Sequence, residues 1–171
     1  MIFVSCSEII FNKCVVSLMI IKENQLNDLL VMEIGKFSIL WNCFERFQCD
    51  NSCNPGKIKT VASLISIDKE KQGVLAAVLN TRRTWFGQVI PEYVETGLYP
   101  GNARQNQAED RLLMEKFMEQ SDEDLRCGCL LVIYRIRNNL MHGLKCIEQL
   151  NDQLELFQAV NGVLESVEWL D

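Results

Sequence analysis

The stretch DEDLRCGCLLVIYRIRNNLMHG, residues 122–143, decides the fold class that we predict for this chain. Its middle is a continuous apolar run, and its three leading acidic residues suit the positive N-terminal end of a helix. Gly143 is the residue type favoured just past a helix end. We therefore predict a helix over about 122–142, with Ser121 and Asp124 approximating a capping box at its start.

Four other segments repeat apolar residues every three or four positions, which predicts amphipathic helices. They are residues 24–47, 57–80, 105–120 and 145–169. We expect Asn24 to cap the first and Gly73 to weaken the second. The chain has 171 residues, 48% of them hydrophobic, without an internal repeat or a long linker. The sequence predicts one all-α domain over 1–171, an antiparallel bundle of five to six helices.

The first 22 residues are rich in Ile, Val and Phe and lack a basic start. Glu8, Asn12 and Lys13 interrupt the apolar run well short of the ~20 residues that a membrane span needs. We expect buried structure here, with strand and helix both open, and no membrane insertion.

Residues 81–103 contain aromatic, proline and glycine residues in close succession, which predicts an irregular insertion. Arg82 and Arg83 beside Trp85 would suit a lip that binds anions and stacks bases. Solvated arginines next to a packing tryptophan explain the same pattern, and we favour that simpler interpretation.

The net charge of −6 gives the chain as a whole no long-range attraction for nucleic acid, so any anion site must be local. The eight cysteines form no CxxC pair and the chain has one histidine, so neither a zinc site nor another metal site is predicted. We expect reduced thiols in a cytoplasmic protein, several of them acting as small buried hydrophobes.

The polar end of the helix predicted over about 122–142 raises the question of function. Arg137, Asn138 and His142 lie there, directly after a continuous apolar run. On a helix, Asn138 and His142 share a face, whereas Arg137 and His142 are about 140° apart. A two-fold dimer would bring both copies of these side chains to one cleft. The motif therefore makes more chemical sense in a homodimer that uses this face.

The residues RNNLMHG at 137–143, preceded by an apolar helix, resemble the Rx4–6H motif of the HEPN superfamily (higher eukaryotes and prokaryotes nucleotide-binding). The specific match covers about a dozen residues, and an all-α arrangement is compatible over about 24–169. The resemblance implies a HEPN-like helical bundle that dimerises with its two motifs facing each other.

The same resemblance implies a metal-independent endoribonuclease without a cofactor, acting on RNA in toxin–antitoxin, phage-defence or RNA-processing systems. Other members bind nucleotides, or serve as non-catalytic partners, so the alternative is a helical module that partners a toxin or a nucleotidyltransferase. A protein partner such as an antitoxin is compatible with the first interpretation.

RNA cleavage through the 2′-hydroxyl needs a proton acceptor, a proton donor and positive charge at the phosphate. His142 is suited to acid or base chemistry, Arg137 to holding phosphate oxygens, and Asn138 to orienting the imidazole. In the structural alternative, His142 ends the helix, Arg137 pairs with an acid, and Asn138 and Asn139 are solvated.

Four further residues are candidates to line the site. Asn42 and Glu45 lie three residues apart within an apolar helix, where they suit the lining of a cleft. A structural role, in which Glu45 pairs with Arg46 or Arg137 or is simply exposed, is equally open. Arg135 is expected to be a structural charge or a charge at the substrate rim. Asn139 is the fourth candidate because it lies within the motif.

Overall fold

A computed structural model describes residues 27–85, 107–141 and 151–170 of the chain. The predictions for the first 22 residues, for 86–103 and for His142 therefore lie outside the described residues. The helices described are α1 (Asp28–Gln48), α2 (Pro55–Ala62), α3 (Lys69–Trp85), α4 (Gln107–Glu119), α5 (Arg126–Met141) and α6 (Leu154–Glu165), and two-residue strands β1 (Ile65–Ser66) and β2 (Glu168–Trp169) pair with each other. The predicted all-α class is confirmed; the antiparallel HEPN-like bundle stays a prediction.

Helix α5 lies at the centre of the core. Its residues 128–133 are all buried, so this part of the helix is covered on every side. The covering helices are α4 along one side and α2 along another. Helix α1 contacts the C-terminal half of α5, where the Trp41 and Tyr134 rings lie 6.1 Å apart. The apolar run that predicted this helix is therefore the core of the fold.

Helix α6 provides the second packing centre, since α1 and α3 both lie against it. Phe37 and Phe157 meet between α1 and α6 with ring centroids 5.6 Å apart. The buried Asn161 side chain of α6 donates from Nδ2 to the backbone oxygen and carboxylate of Glu33, at 3.0 and 2.6 Å. Apolar and polar contacts together fix α1 on α6.

The predicted helix over 57–80 is wrong as one element. The chain leaves α2 after Ala62, forms β1, and begins α3 at Lys69, while Gly73 lies inside α3. Asp68 caps the start of α3, because its Oδ1 accepts from the backbone N–H groups of Glu70 and Lys71 at 2.7 and 3.3 Å. An aspartate in this position starts a new helix.

The last segment also differs from its prediction as a helix over 145–169. Its α-helix ends at Glu165, after which β2 pairs antiparallel with β1, placing Ile65 opposite Trp169. The Leu170 N–H donates to the Leu64 oxygen at 2.9 Å and extends the pairing. This small sheet joins the end of the described chain to the α2–α3 connection.

Three element ends were also misplaced. The N-cap of α1 is Asn27, whose Oδ1 accepts from the Leu29 N–H at 2.9 Å. Helix α3 continues through Trp85, so 81–85 do not belong to an irregular insertion. Helix α5 begins at Arg126, where the Asp124 carboxylate accepts from the Arg126 backbone and guanidinium, so the Ser121–Asp124 capping box is wrong.

The expectation that all thiols are reduced is wrong for one pair, because Cys49 and Cys53 form a disulfide. Asp50 and Asn51 adopt positive φ angles of 49° and 55°, which turn the chain sharply after α1. The turn brings the two Cα atoms to 5.0 Å, a separation suited to a disulfide. Asparagine and aspartate tolerate this left-handed backbone better than most residues.

Two other cysteines behave as the predicted small hydrophobes. Cys129 is fully buried in α5, and burial raises the pKa of its thiol far above the ordinary value. Burial also raises the pKa of Cys127 to about 11, so both thiols stay protonated at neutral pH. In the described part of the chain, none of the helices combines the length and apolar character required to traverse a bilayer.

Close packing of α5 on α4 depends on Gly128. A methyl group at this position would overlap the Leu113 backbone oxygen and lie 2.8 Å from the Phe117 Cβ. We expect Gly128→Ala to lower the free energy of unfolding by about 1–3 kcal/mol, because two helix backbones must separate. Urea unfolding followed by circular dichroism measures the change.

Gly73→Ala is the matched control, since an added Cβ there meets nothing within 4 Å. Replacing a glycine inside α3 should raise the free energy of unfolding by about 0.5–1 kcal/mol. Equal destabilisation by both alanines would contradict the assigned role of Gly128.

Candidate functional site

Arg137 lies in the last turns of α5, with 30% of its side chain exposed. Its Nη1 donates to Asn138 Oδ1 at 3.1 Å and its Nη2 to Glu45 Oε2 at 3.5 Å. Its Nε is buried and has no hydrogen-bond partner among the described residues. The guanidinium is therefore anchored on one side and keeps unused donor capacity.

The Glu45 carboxylate connects α1, α5 and the turn that follows α1. Its Oε2 accepts from the Trp41 indole Nε1 at 3.2 Å and receives Arg137 Nη2. Its Oε1 accepts from the backbone N–H of Cys53 at 3.0 Å. Because only 18% of the Glu45 side chain is exposed, these donors replace most of its water. Glu45 is the positioning residue for Arg137.

An aromatic cluster of Trp41, Phe44 and Tyr134 lies next to the Glu45 carboxylate. Trp41 is 2% exposed and packs on Phe44, with ring centroids 5.4 Å apart, as well as on Tyr134. Tyr134 precedes Arg137 by three residues, so the two share a side of α5. The cluster fixes α1 against the motif end of α5, and with it the distance between Glu45 and Arg137.

The contact between Glu45 and Arg137 is long for an ion pair. Charge-assisted N–H to carboxylate bonds are commonly about 2.7–2.9 Å, against 3.5 Å here. Partial exposure weakens the attraction further through solvent screening. Glu45 therefore orients the guanidinium without fully neutralising it, so a second anion such as a phosphate could compete for Arg137.

The predicted site residues differ in their burial and in their contacts. Asn138 is half-buried and bonded to Arg137, and Glu45 joins them from α1. Asn42 is exposed, and none of the described contacts of Arg137 involves it. Arg135 is buried, at 4% exposure, which agrees with a structural charge rather than a substrate rim.

Two of the predicted site residues have side chains outside the described part of the chain. Asn139 is part of the α5 backbone, but its side chain is outside the described residues. His142 follows Met141, the final residue of α5, and is itself outside them. The side chains of Arg82, Arg83 and Trp85 are outside them too, so neither the favoured interpretation as solvated arginines beside a packing tryptophan nor the base-stacking alternative is tested.

Sequence reasoning missed Trp41, Tyr134 and the backbone amide of Cys53 as parts of this site. The spacing of Trp41 and Glu45, four residues on one helix, was a usable signal for the indole–carboxylate bond. No sequence pattern indicated that the Cys53 amide would contact Glu45. The amide reaches Glu45 only because the turn at Asp50 and Asn51 reverses the chain.

The described residues offer no cluster of three or more His, Cys, Asp or Glu side chains able to hold a metal ion. A cavity of about 690 Å³ lies away from Arg137, between the start of α3 and the α4–α5 connection. Acidic side chains at 122–124 contribute to its wall together with Lys69 and Arg126. Neither Arg137 nor Asn138, the motif residues with described side chains at the site, lines this cavity.

The chain matches no family model, no curated protein and no solved structure. The assignment of the site therefore depends on the contacts of Arg137 and on the sequence motif alone.

Loss of Glu45 should disturb three donors together. We expect Glu45→Ala to lower the free energy of unfolding by about 1–3 kcal/mol, since the Trp41 indole and the Arg137 guanidinium lose a shared acceptor. Urea unfolding monitored by tryptophan fluorescence measures the change.

Asn42→Ala provides the control on the same helix, since Asn42 is exposed. Its effect should stay within about 0.5 kcal/mol. If the two alanine variants unfolded at the same urea concentration, Glu45 would not have the connecting role described.

Proposed function

We propose that this protein is a HEPN-type, metal-independent endoribonuclease that cleaves RNA by attack of the 2′-hydroxyl on the adjacent phosphate. The observation that carries the proposal is the Arg137 side chain, hydrogen-bonded to Asn138 and held by Glu45 at the end of α5. Arg137 and Asn138 begin the RNNLMHG motif, in which His142 lies five residues after Arg137.

In the proposed reaction, Arg137 binds non-bridging phosphate oxygens and stabilises the extra negative charge of the pentacoordinate transition state. The 2′-oxygen forms a bond to phosphorus while the bond to the 5′-oxygen breaks, giving a 2′,3′-cyclic phosphate and a 5′-hydroxyl. His142 donates the proton to the leaving 5′-oxygen, and Asn138 orients the imidazole. Glu45 acts only by positioning Arg137.

The proposal includes a homodimer through the motif face, in which the second copy of His142 accepts the proton of the 2′-hydroxyl. Two motifs in one cleft would supply the base and the acid together with two guanidinium groups. The expected cytoplasmic location, and a role in toxin–antitoxin, phage-defence or RNA-processing systems with an antitoxin partner, are parts of the same proposal.

One observation favours a second candidate, a non-catalytic helical module that partners a toxin or a nucleotidyltransferase. The chain carries a net charge of −6, which opposes long-range attraction of RNA. In this alternative the Arg137–Glu45 contact is structural, and the acidic surface binds a protein with a basic face.

We expect purified protein to cut a mixed-sequence RNA in EDTA, leaving 2′,3′-cyclic phosphate ends that mass spectrometry identifies. His142→Ala should lower the cleavage rate by about 10²–10⁴-fold through loss of proton transfer. Arg137→Lys should also lower the rate, because lysine lacks the planar donor fork. The rate is measured from the disappearance of intact RNA.

Arg111→Ala is the control, since Arg111 is an exposed arginine that pairs with Glu115 on α4. It should keep the wild-type rate, and circular dichroism should show that all variants remain folded. Cleavage that survived both His142→Ala and Arg137→Lys would point to a contaminating nuclease. Absence of cleavage by a folded wild-type dimer would favour the non-catalytic module.

A further inference from the structure

The turn that follows α1 makes three hydrogen bonds to a single residue. The backbone N–H groups of Cys49 and Asn51 donate to the Glu45 backbone oxygen at 3.2 and 3.0 Å. The N–H of Cys53 donates instead to the Glu45 side chain, at 3.0 Å from Oε1. The disulfide joins Cys49 to Cys53, so the ring that it closes contains all three donors.

The bond from Cys53 depends on the shape of the turn. The bond from Cys49 to the Glu45 oxygen has the ordinary spacing of an α-helix. The Cys53 amide lies eight residues beyond Glu45 and reaches its side chain only because Asp50 and Asn51 reverse the chain at positive φ. Two successive residues of this kind are unfavourable by themselves and persist where other contacts impose them. The disulfide is the covalent contact across this turn.

The small size of the ring favours a local role for the disulfide. Stabilisation by restriction of the unfolded chain increases with the number of residues that a disulfide encloses. This ring spans only residues 49–53, so that contribution is at the low end. The direct effect of the disulfide is on the conformation of the turn, and with it on the position of the Cys53 amide.

Arg137 has one donor for which Glu45 and an external anion can compete. Its Nε is buried and lacks a hydrogen-bond partner among the described residues, which costs free energy. Glu45 Oε2 meets Nη2 of the same guanidinium at 3.5 Å, while Glu45 Oε1 is engaged by the Cys53 amide. The Cys53 amide therefore limits how many oxygens Glu45 can offer to Arg137.

We propose that the Cys49–Cys53 disulfide is a redox switch for anion binding at Arg137. In the disulfide form the Cys53 amide holds Oε1 of Glu45, and the Nε–H of Arg137 stays open to a phosphate. In the reduced form the turn relaxes and releases Oε1. Glu45 then binds Nη2 and Nε together, in the two-bond geometry that guanidinium and carboxylate groups favour. Because the anion is the phosphate of the reaction proposed above, this switch rests on the proposed function.

Reduction of the ring is a two-electron exchange with a dithiol. A thiolate of the dithiol attacks Sγ of Cys53, the S–S bond breaks, and Cys49 departs as a thiolate that takes up the proton of the attacking thiol. The second thiol of the reductant then displaces Cys53, which leaves two thiols on the protein and one disulfide on the reductant. Residues 50–52 are exposed, and Cys53 is less buried than Cys49, at 9% against 1% exposure. The Lys57 ammonium donates to the Cys49 oxygen at 2.8 Å, a nearby positive charge that favours the departing thiolate.

The test compares both redox states of the whole protein. Oxidised wild type and wild type reduced with dithiothreitol are titrated with inorganic phosphate, while NMR follows the side-chain Nε–H of Arg137. Arg137→Lys identifies this resonance by its loss. Reduction should raise the phosphate dissociation constant about twofold to fivefold, the effect that a partly exposed ion pair provides. The Cys53 amide should exchange with solvent at least about tenfold faster, because it loses a charged acceptor.

Serine variants separate the ring from the other thiols. Cys49→Ser with Cys53→Ser removes the disulfide without a reductant, so it should bind phosphate as weakly as the reduced protein and show no response to dithiothreitol. Cys43→Ser is the matched control, because Cys43 is an exposed free cysteine on the same helix. It should keep the wild-type affinity and the wild-type response. Circular dichroism checks that all variants are folded.

Equal phosphate affinity in the two redox states, or no response to phosphate in either, would overturn the switch. Faster exchange of the Cys53 amide without a change in affinity would overturn it too, since the turn and Arg137 would then be uncoupled. RNA cleavage in EDTA is measured separately on both forms. Cleavage at equal rates would keep the proposed function and remove the switch, whereas a phosphate affinity that changes without any cleavage would keep the switch and remove the reaction.

Discussion

The structure depends on the complete burial of the middle of α5. Residues 128–133 of this helix have almost no contact with solvent, so other elements must pack around its whole circumference. Helix α4 approaches closely because Gly128 has no side chain, and α2 covers another side. Once the apolar middle is buried, the polar end that follows it lies against α1. The place of Arg137 is therefore a consequence of core packing.

The contacts around Glu45 show how a charged group is kept at the margin of such a core. Its carboxylate receives an indole N–H, a backbone N–H and a guanidinium, each from a different part of the chain. Three donors compensate for the water that Glu45 loses on burial. The same carboxylate orients the Arg137 guanidinium through a contact of 3.5 Å.

Much of the fold followed from the sequence because apolar periodicity reports burial. The run at 129–133 predicted the central helix, and Leu30, Phe37, Trp41 and Phe44 predicted the inner side of α1. The ends of the helices were harder to predict, since they depend on single hydrogen bonds. Asp68 was available as a cap signal and was overlooked, whereas pairing of Ile65 with Trp169 depends on residues about a hundred positions apart. Arg137 and Asn138 came from the motif, and pairing of Glu45 with Arg137 was one of the structural alternatives for Glu45. The contacts of Glu45 with the Trp41 indole and the Cys53 amide required the tertiary structure.

The five-residue ring closed by Cys49 and Cys53 has a consequence for the environment of Arg137. Cys53 holds one carboxylate oxygen of Glu45 through its backbone amide, and the other oxygen meets the guanidinium. The disulfide-closed turn and the Arg137 guanidinium therefore meet at a single carboxylate. Opening of the ring by reduction would remove the covalent constraint on the turn that carries the Cys53 amide, so the disulfide helps to keep Glu45 in place beside Arg137.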